Sequence, residues 1–252
     1  YLGVPGILLA FVMLLIREPV RRPSESKIEG ATNTEELITF YRENSKTIIF
    51  HHIGNLSLLM TGFAFVFWSI TFFVRVHDMD ASHASQIFGW IYIFFGPLGP
   101  LLIAYFAKHQ SQKGHYDANM TAGMLGGIIT IPTILLIQIA PSPLWAFIFY
   151  APALAAVNSP FGIAAGALPV ITPPHLRARV AAVYMLTGAI GMMFGPPLAG
   201  AFNEFIFPGA DGVRYSMITM TCFFGLLGVL FLHLGRKHYA LSMKNAEGWD
   251  GA

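Results

Sequence analysis

The sequence predicts an all-α integral membrane protein with six complete transmembrane helices. Three observations indicate this class. The 252-residue chain is 55% apolar and only 11% charged, its mean hydropathy is +0.60, and its apolar residues form long, almost uncharged runs. Soluble domains carry about 25% charged residues, whereas lipid-facing helices need no polar face. The composition excludes a disordered protein, a disulfide scaffold, a collagen and a nucleic-acid-binding domain.

Six runs are long enough to span a bilayer. Crossing about 30 Å of hydrocarbon at 1.5 Å per residue takes about 20 residues. The runs of that length lie at 47–74, 85–107, 119–140, 144–171, 180–207 and 215–235. A seventh apolar stretch, 1–16, is too short, begins without Met and lacks the charged region of a signal peptide. We expect it to be the end of a preceding transmembrane helix.

The polar segment 17–46 is predicted to be a cytoplasmic linker. Pro19 and Pro23 end the preceding helix. A capping-box start is indicated by two alternative pairs, Thr32 with Glu35 or Asn33 with Glu36. An apolar stripe beside charged residues then indicates a short interfacial helix on the inner membrane face; its apolar members are Leu37, Ile38, Phe40 and Tyr41. A solvated linker helix is the alternative.

The basic residues predict the orientation. With the end of segment 1–16 placed inside, every Lys and Arg falls in an inner segment except Arg75 and Arg214. Basic residues collect in cytoplasmic loops. We therefore expect the six-helix bundle at 47–235 to lie in the bacterial inner (plasma) membrane, with 236–252 as a cytoplasmic tail and the C-terminus inside.

A cut helix, a long inner linker and six spans form the layout of the second half of a twelve-helix transporter. In the fifth run, small residues and two prolines form the pattern G-x-x-x-G-P-P-x-x-G, contributed by Gly191, Gly195, Pro196, Pro197 and Gly200. Glycines let helices approach closely, and proline bends a helix. This pattern resembles the glycine-proline signature of major facilitator helices at this position.

Further motifs resemble the spinster-like subfamily. The run ITPPHLRARVAAVY at 171–184 is similar to its inner turn, Gly62, Trp68 and Arg75 to its exit from the first span of the second half, and Arg17–Glu18–Pro19 to its entry into the linker. One loop departs from the family pattern A-D-R-x-x-R-R, because Lys108 stands where the acid is expected. That departure puts the usual charge latch in doubt.

The resemblance implies the C-terminal half of a twelve-helix major facilitator fold, working by alternating access against a missing N-terminal six-helix half. It also implies an amphipathic lipid-like substrate, a lysophospholipid or sphingoid phosphate, often with proton coupling. The expected partners are membrane lipids, the small amphipathic substrate and that missing half, with no nucleic acid. Two alternatives stay open: a carrier of a small organic anion or drug-like compound, and a non-transporting structural subunit of a larger complex.

Polar residues within the apolar runs are the candidate functional residues, because uncompensated polar groups in lipid are costly. His51 and His52 are candidates for proton coupling, Glu204 for proton coupling or gating, and Lys108 for gating. The alternative for the histidines is a place in the head-group layer, and for Glu204 an interfacial one. Gly191, Gly195, Pro196 and Gly200 are predicted to pack helices.

Seven residues are candidates for substrate binding. Asn55 follows the histidines by one turn, and Asn158 and Ser159 precede a predicted break of the fourth run at Pro160, Gly162, Gly166 and Pro169. Trp68, Tyr92, Tyr184 and Thr187 join them by analogy with the family's cavity. Hydrogen bonding between helices is the alternative for the polar residues, and lipid contact for the aromatic ones.

No catalytic pattern is present in the sequence, so we expect no enzyme activity. Cys/His metal spacing is also lacking, so no metal and no cofactor are expected. The single cysteine, Cys222, is predicted to be a small packing residue.

Overall fold

The computed structural model describes residues 34–246 together with Phe11 and Met13, apart from the side chain of Phe161. The chain divides into two compact units, Tyr1–Glu36 and Leu37–Ala252. Most of the predicted cut helix at 1–16, the family-like motif at 17–19, the capping residues Thr32 and Asn33, and the chain after 246 lie outside the described residues.

Six helical spans are long and apolar enough to cross a membrane, which confirms the predicted fold class. Spans 1 to 6 are Ser45–His77, Ala81–Gln112, Ala118–Gln138, Pro143–Val170, Pro174–Ile206 and Gly212–Ala246. Their ends agree with the predicted runs within a few residues for most spans. Span 6 is longer, because its helix continues from 235 to Ala246 and carries basic residues on its last turns.

One span is interrupted and two change helix type along their length. Span 2 consists of Ala81–Phe95 and Leu98–Gln112, because Pro97 has no N–H with which to continue the first helix. Span 5 contains a 3₁₀ turn, an α-helix and a π-turn, at Pro174–Leu176, Arg177–Ala201 and Phe202–Ile206. Span 6 contains a π-turn between two α-helices, at Gly212–Met220, Thr221–Gly225 and Leu226–Ala246.

Span 4 is one continuous α-helix over Pro143–Val170, so the predicted break after Asn158 and Ser159 is wrong. Pro160 cannot donate to the carbonyl of Ala156, four residues earlier. The hydroxyl of Ser159 donates to that carbonyl instead, at 2.7 Å. Proline is tolerated in membrane helices where side chains pair with the backbone groups that it frees. Span 4 thus continues through Pro160 with that carbonyl paired, as it also continues through Pro152 and Pro169.

The predicted linker helix forms over Thr34–Glu43. Its Phe40 is buried, and Leu37 and Tyr41 pack against the same apolar cluster as Ile48. Most of the apolar stripe therefore lies against the bundle, while Ile38 stays exposed.

Most of the span pairs that pack closely are not consecutive in the chain. Span 1 contacts spans 5 and 6, and span 4 contacts spans 2 and 3. A cluster of aromatic rings fills one half of the interior, where Phe73 stacks on Phe147 with ring centroids 4.1 Å apart. Offset aromatic stacking adds to the free energy of simple burial.

The charged residues separate to the two ends of the bundle. We call the basic end the one at which spans 2 and 3 connect, spans 4 and 5 connect, and span 6 finishes. It carries Arg42, Lys46, Lys108, Lys113, Arg177, Arg179, Arg236, Lys237 and Lys244, whereas the opposite end carries Arg75 and Arg214. Which end faces the cytoplasm stays a prediction.

Candidate functional site between spans 1 and 5

Small residues let spans 1 and 5 approach each other closely. A Cβ atom at Gly191 would lie 3.0 Å from Cβ of Leu59, and one at Gly195 would lie 2.5 Å from the carbonyl oxygen of Met60. Such contacts leave no room for a side chain. Gly191 and Gly195, which were predicted to pack helices, thus lie at the contact.

A cluster of polar rings lies along this contact, in the half of the spans nearer the basic end. Nδ1 of His52 lies 2.6 Å from the hydroxyl of Thr187, which links span 1 to span 5. The ring of Tyr184 lies 5.3 Å from that of His51 and 5.9 Å from that of His52, between centroids. We call His51, His52, Tyr184 and Thr187 the histidine cluster.

Several polar atoms of this cluster are buried without a partner. Within residues 34–246, neither ring nitrogen of His51 makes a well-aligned hydrogen bond, although the backbone of Ala164 on span 4 lies close to the ring. Nε2 of His52 has no hydrogen-bond partner among these residues. Asn55 donates from Nδ2 to the carbonyl of His51 at 2.9 Å, while its Oδ1 has no partner there. Unpaired buried polar groups are costly and rare. The cluster can therefore accept further hydrogen bonds or protons.

A second polar feature lies at the opposite end of the same contact. Trp68, Arg75, Gly200 and Glu204 are among the residues that line a pocket of about 690 Å³. Nε1 of Trp68 donates to the carbonyl of Pro196 at 2.9 Å, which fixes the ring. Glu204 is exposed and lies on the π-turn of span 5. π-turns in helices are frequent at functional sites. We call this space, which lies at the end opposite the basic end, the outer-end pocket, after the predicted orientation.

The other predicted site residues lie elsewhere. Tyr92 is exposed on span 2, and Lys108 is exposed at the basic end of that span. Nδ2 of Asn158 is buried on span 4 with no hydrogen bond to another described residue. Ser159 is buried where spans 3 and 4 touch, and a Cβ atom at Gly126 would overlap its hydroxyl. The structure thus brings together five predicted residues in and beside the histidine cluster, the two histidines included. It also places three predicted residues, Trp68, Gly200 and Glu204, at the outer-end pocket.

The environment of Ser159 predicts a structural role that can be measured. Ser159→Ala is expected to lower the free energy of unfolding by about 1–2 kcal/mol, because the Ala156 carbonyl loses its donor. In a Pro160→Ala background the new backbone N–H pairs with that carbonyl, so the same substitution should cost little. Thermal denaturation in detergent of the four proteins of this double-mutant cycle gives the coupling.

Ser57→Ala is the matched control for Ser159. The hydroxyl of Ser57 donates to the carbonyl of Ile53 inside a helix without proline, where a backbone N–H is also available. Its removal should change stability little. If Ser159→Ala reduced transport without changing stability, substrate binding would replace the structural role.

Sequence analysis missed an ion pair at the basic end. Nε of Arg236 on span 6 donates to Oδ2 of Asp117, 2.6 Å away and one residue before span 3. Thr121 donates to the same oxygen at 3.0 Å. The only indication in the sequence was Asp117 itself. It is an acid in the connection between spans 2 and 3, and Lys108, shortly before it in the chain, replaces the acid of the family pattern. Nearby, the hydroxyl of Tyr239 receives a hydrogen bond from another described side chain and donates to the Ala167 carbonyl.

This ion pair should make stability depend on acid pH. Burial opposes ionisation of Asp117, but the hydrogen bonds from Arg236 and Thr121 outweigh it and hold the pKa below its usual range. A depressed pKa gives stabilisation that is full above the unfolded-state pKa of about 3.9 and lost as pH falls through the folded-state value.

Asp117→Asn is therefore expected to lower stability by about 1 kcal/mol at pH 7, a value reduced for partial exposure. The difference from wild type should shrink as pH falls below about 3.9 in thermal denaturation curves. Asp211→Asn is the control, because Asp211 is exposed and lies 3.5 Å from Arg214 within one helical turn. A deficit of Asp117→Asn that stayed constant with pH would contradict this assignment.

Comparison with known proteins identifies the fold. No family model matches the sequence, and no curated protein matches it. A crystal structure of a bacterial homologue of the human lysosomal transporter Spinster, inward-facing and unoccupied, matches over 95% of this chain with a TM-score of 0.63 and 22% identity. The chain has a major facilitator fold. The occupied, inward-facing form of such a homologue matches over 96% of this chain, with a TM-score of 0.60 and 21% identity.

The match covers part of these transporters only. This chain spans 58% and 56% of the two matched chains, a little more than half. The predicted resemblance to the spinster-like group is thus confirmed at the level of the fold, and these neighbours are transporters rather than enzymes. Together with the six apolar spans, these neighbours indicate that the chain is an integral membrane protein.

Proposed function

We propose that this chain is the C-terminal half of a secondary active transporter that works by alternating access. The observation that carries the proposal is the major facilitator fold, shared over 95% of the chain with a bacterial Spinster homologue while covering 58% of it. In such folds two six-helix halves rock against each other around a site near the membrane midplane. The N-terminal half would supply the other wall of that site.

We propose that the hydrogen bonds of the histidine cluster change when the two halves rock. His52 and Thr187 join spans 1 and 5 by one hydrogen bond, whereas neither nitrogen of His51 makes a well-aligned hydrogen bond. Rocking of this half against the other one would have to shift spans 1 and 5 slightly relative to each other, and such a shift would exchange these partners. A histidine that gains or loses a hydrogen-bond partner changes its affinity for a proton. The cluster thus has the chemistry to couple proton uptake to rocking.

The same cluster favours a substrate that carries a phosphate. Within the described spans Glu204 is the only acidic side chain, and it lies in the outer-end pocket rather than among the histidines. An imidazolium formed there would be unpaired unless a negative charge came from outside this chain. The phosphate of a lysophospholipid or sphingoid phosphate supplies that charge, and the apolar spans suit its chain. The proposed location is the bacterial inner membrane, with the C-terminus in the cytoplasm.

Uptake into proteoliposomes tests the function. The complete transporter that contains this chain is reconstituted, and uptake of a fluorescent lysophosphatidylethanolamine is followed with and without a pH gradient. We expect uptake that depends on the gradient, and a loss of about tenfold or more in His52→Ala, the typical scale of proton-transfer contributions being about 10²-fold or more. His83→Ala, an exposed histidine at the start of span 2, is the control.

Other outcomes separate the alternatives. Uptake of a small organic anion without lysolipid uptake would overturn the substrate class and retain the transporter. A native protein whose intact mass is that of this 27.6 kDa chain alone, with no uptake of either compound, would favour the structural subunit.

A further inference from the structure

Span 6 carries an apolar groove on an exposed face. Leu226, Leu230 and His233 follow one another at four- and three-residue intervals, so they share one side of the helix. All three are exposed, and together with neighbouring apolar residues they line a cavity of about 570 Å³. The groove begins at Cys222, within the π-turn Thr221–Gly225. A π-turn widens the helix locally.

A polar pocket of about 460 Å³ adjoins this groove at the basic end. It is lined by Asp117, His233, Leu234, Arg236, Lys237 and Ala240. His233 lines both cavities, so the pocket and the groove meet at that residue. Together they join a charged end to an apolar end along one helix.

The charges in the pocket favour an anion. The hydrogen bond to Asp117 uses Nε of Arg236, which fixes the guanidinium plane and leaves the Nη groups for another ligand. Lys237 is exposed, and no hydrogen bond or ion pair joins it to another residue of 34–246. Two cations therefore face one carboxylate. Basic pockets between membrane helices are suited to phospholipid head groups.

The dimensions match one leaflet of a bilayer. The eleven steps from Cys222 to His233 rise about 16 Å along a helix. Half of the hydrocarbon thickness is about 15 Å. A phosphate at Arg236 and Lys237 would thus place an acyl chain along the whole groove, with its end near Cys222.

We propose that this surface binds an anionic phospholipid from the leaflet at the basic end of the bundle. Arg236, Lys237 and His233 hold the phosphodiester, and the groove of span 6 holds one acyl chain. Because Asp117 precedes span 3, the lipid lies where the basic ends of spans 3 and 6 are joined. The lipid is a bound component of the protein and differs from a transported substrate.

Native mass spectrometry tests this site with the complete transporter that contains this chain, purified in detergent. The protein is titrated separately with phosphatidylglycerol and with phosphatidylcholine of the same acyl chains, and bound lipids are counted. We expect tighter binding of phosphatidylglycerol. Lys237→Ala should weaken it about fivefold, since a basic residue near the membrane surface contributes about that factor. Lys108→Ala removes an exposed lysine at the same end and should have no effect.

A second variant tests the groove without touching charge. Leu230→Trp fills the groove and should reduce the number of retained phosphatidylglycerol molecules by one. Leu101→Trp is the control, because it places the same ring at an exposed position of span 2 outside the groove lining, and it should leave that number unchanged. Arg236 is left unchanged, because its loss would also break the ion pair to Asp117.

Three results would overturn the proposal. These are equal affinities for the two lipids, equal effects of Lys237→Ala and Lys108→Ala, and unchanged retention in Leu230→Trp. Millimolar inorganic phosphate that displaced the bound phosphatidylglycerol would assign the pocket to free phosphate instead. None of these results depends on transport, so they leave the proposed function to its own test.

Discussion

Gly99→Val is expected to prevent the chain from reaching its folded state in detergent. A Cβ atom at Gly99 would overlap the backbone carbonyl of Ala155, because spans 2 and 4 cross there in direct contact. A backbone atom inside a helix cannot turn aside as a side chain can. Overpacking of a buried contact typically costs about 1–3 kcal/mol, and a clash with the backbone should exceed that range.

The measurement is the yield of monodisperse protein by size-exclusion chromatography, followed by thermal denaturation of whatever is recovered. Gly89→Val is the control on the same span, because a Cβ atom at Gly89 would meet nothing within 4 Å. It should fold with nearly unchanged stability. Similar behaviour of the two variants would show that spans 2 and 4 do not touch at Gly99.

Trp68→Ala is expected to give the second large loss, about 3 kcal/mol of unfolding free energy. Large-to-small substitution of a buried tryptophan costs about 3–5 kcal/mol, and Trp68 is partly exposed, so the lower value applies. Its ring lies against Gly200 and packs on two separate apolar clusters. Its N–H also joins span 1 to the Pro196 carbonyl of span 5.

Two further variants divide this effect. Trp68→Phe keeps most of the ring and loses the hydrogen bond, so a loss of about 1 kcal/mol is expected. Trp90→Ala removes a tryptophan that is 65% exposed on span 2 and should change stability by less than about 0.5 kcal/mol. All three are compared by thermal denaturation in one detergent. Equal losses in Trp68→Ala and Trp90→Ala would mean that Trp68 does not stabilise the contact between spans 1 and 5.

The sequence was sufficient for the number and approximate ends of the spans, because crossing a bilayer requires only length and an apolar composition. It was not sufficient for the continuity of the helices. Pro97 and Pro160 look alike in the sequence, yet one interrupts span 2 while the other lies inside an unbroken span 4. At Pro160 the hydroxyl of Ser159 pairs with the freed carbonyl, a contact that composition does not reveal.

The candidate site was predictable in its parts but not in its arrangement. His51 and His52 were visible as polar residues in an apolar run. The partner of His52, Thr187, is 135 residues away, and the partner of Asp117, Arg236, is 119 residues away. Pairing over such distances is decided by how the helices pack. A single sequence gives no information on that packing beyond the small residues of span 5.

The π-turn of span 6 determines where this span can change its length by one residue. An α-helix turns by about 100° per residue, and a π-turn accommodates one extra residue without breaking the helix. Deleting a single residue from Thr221–Gly225 would let an ordinary α-helix form through the segment. Because the π-turn already absorbs that residue, Arg236 and the packing face of Gly212–Met220 would both keep their present neighbours. A deletion within Leu226–Ala246 has no such turn to remove, and it would rotate the side chains on one side of it by about 100° relative to those on the other side. In a lineage of such chains, one-residue deletions should therefore be more frequent at 221–225 than in the α-helices on either side.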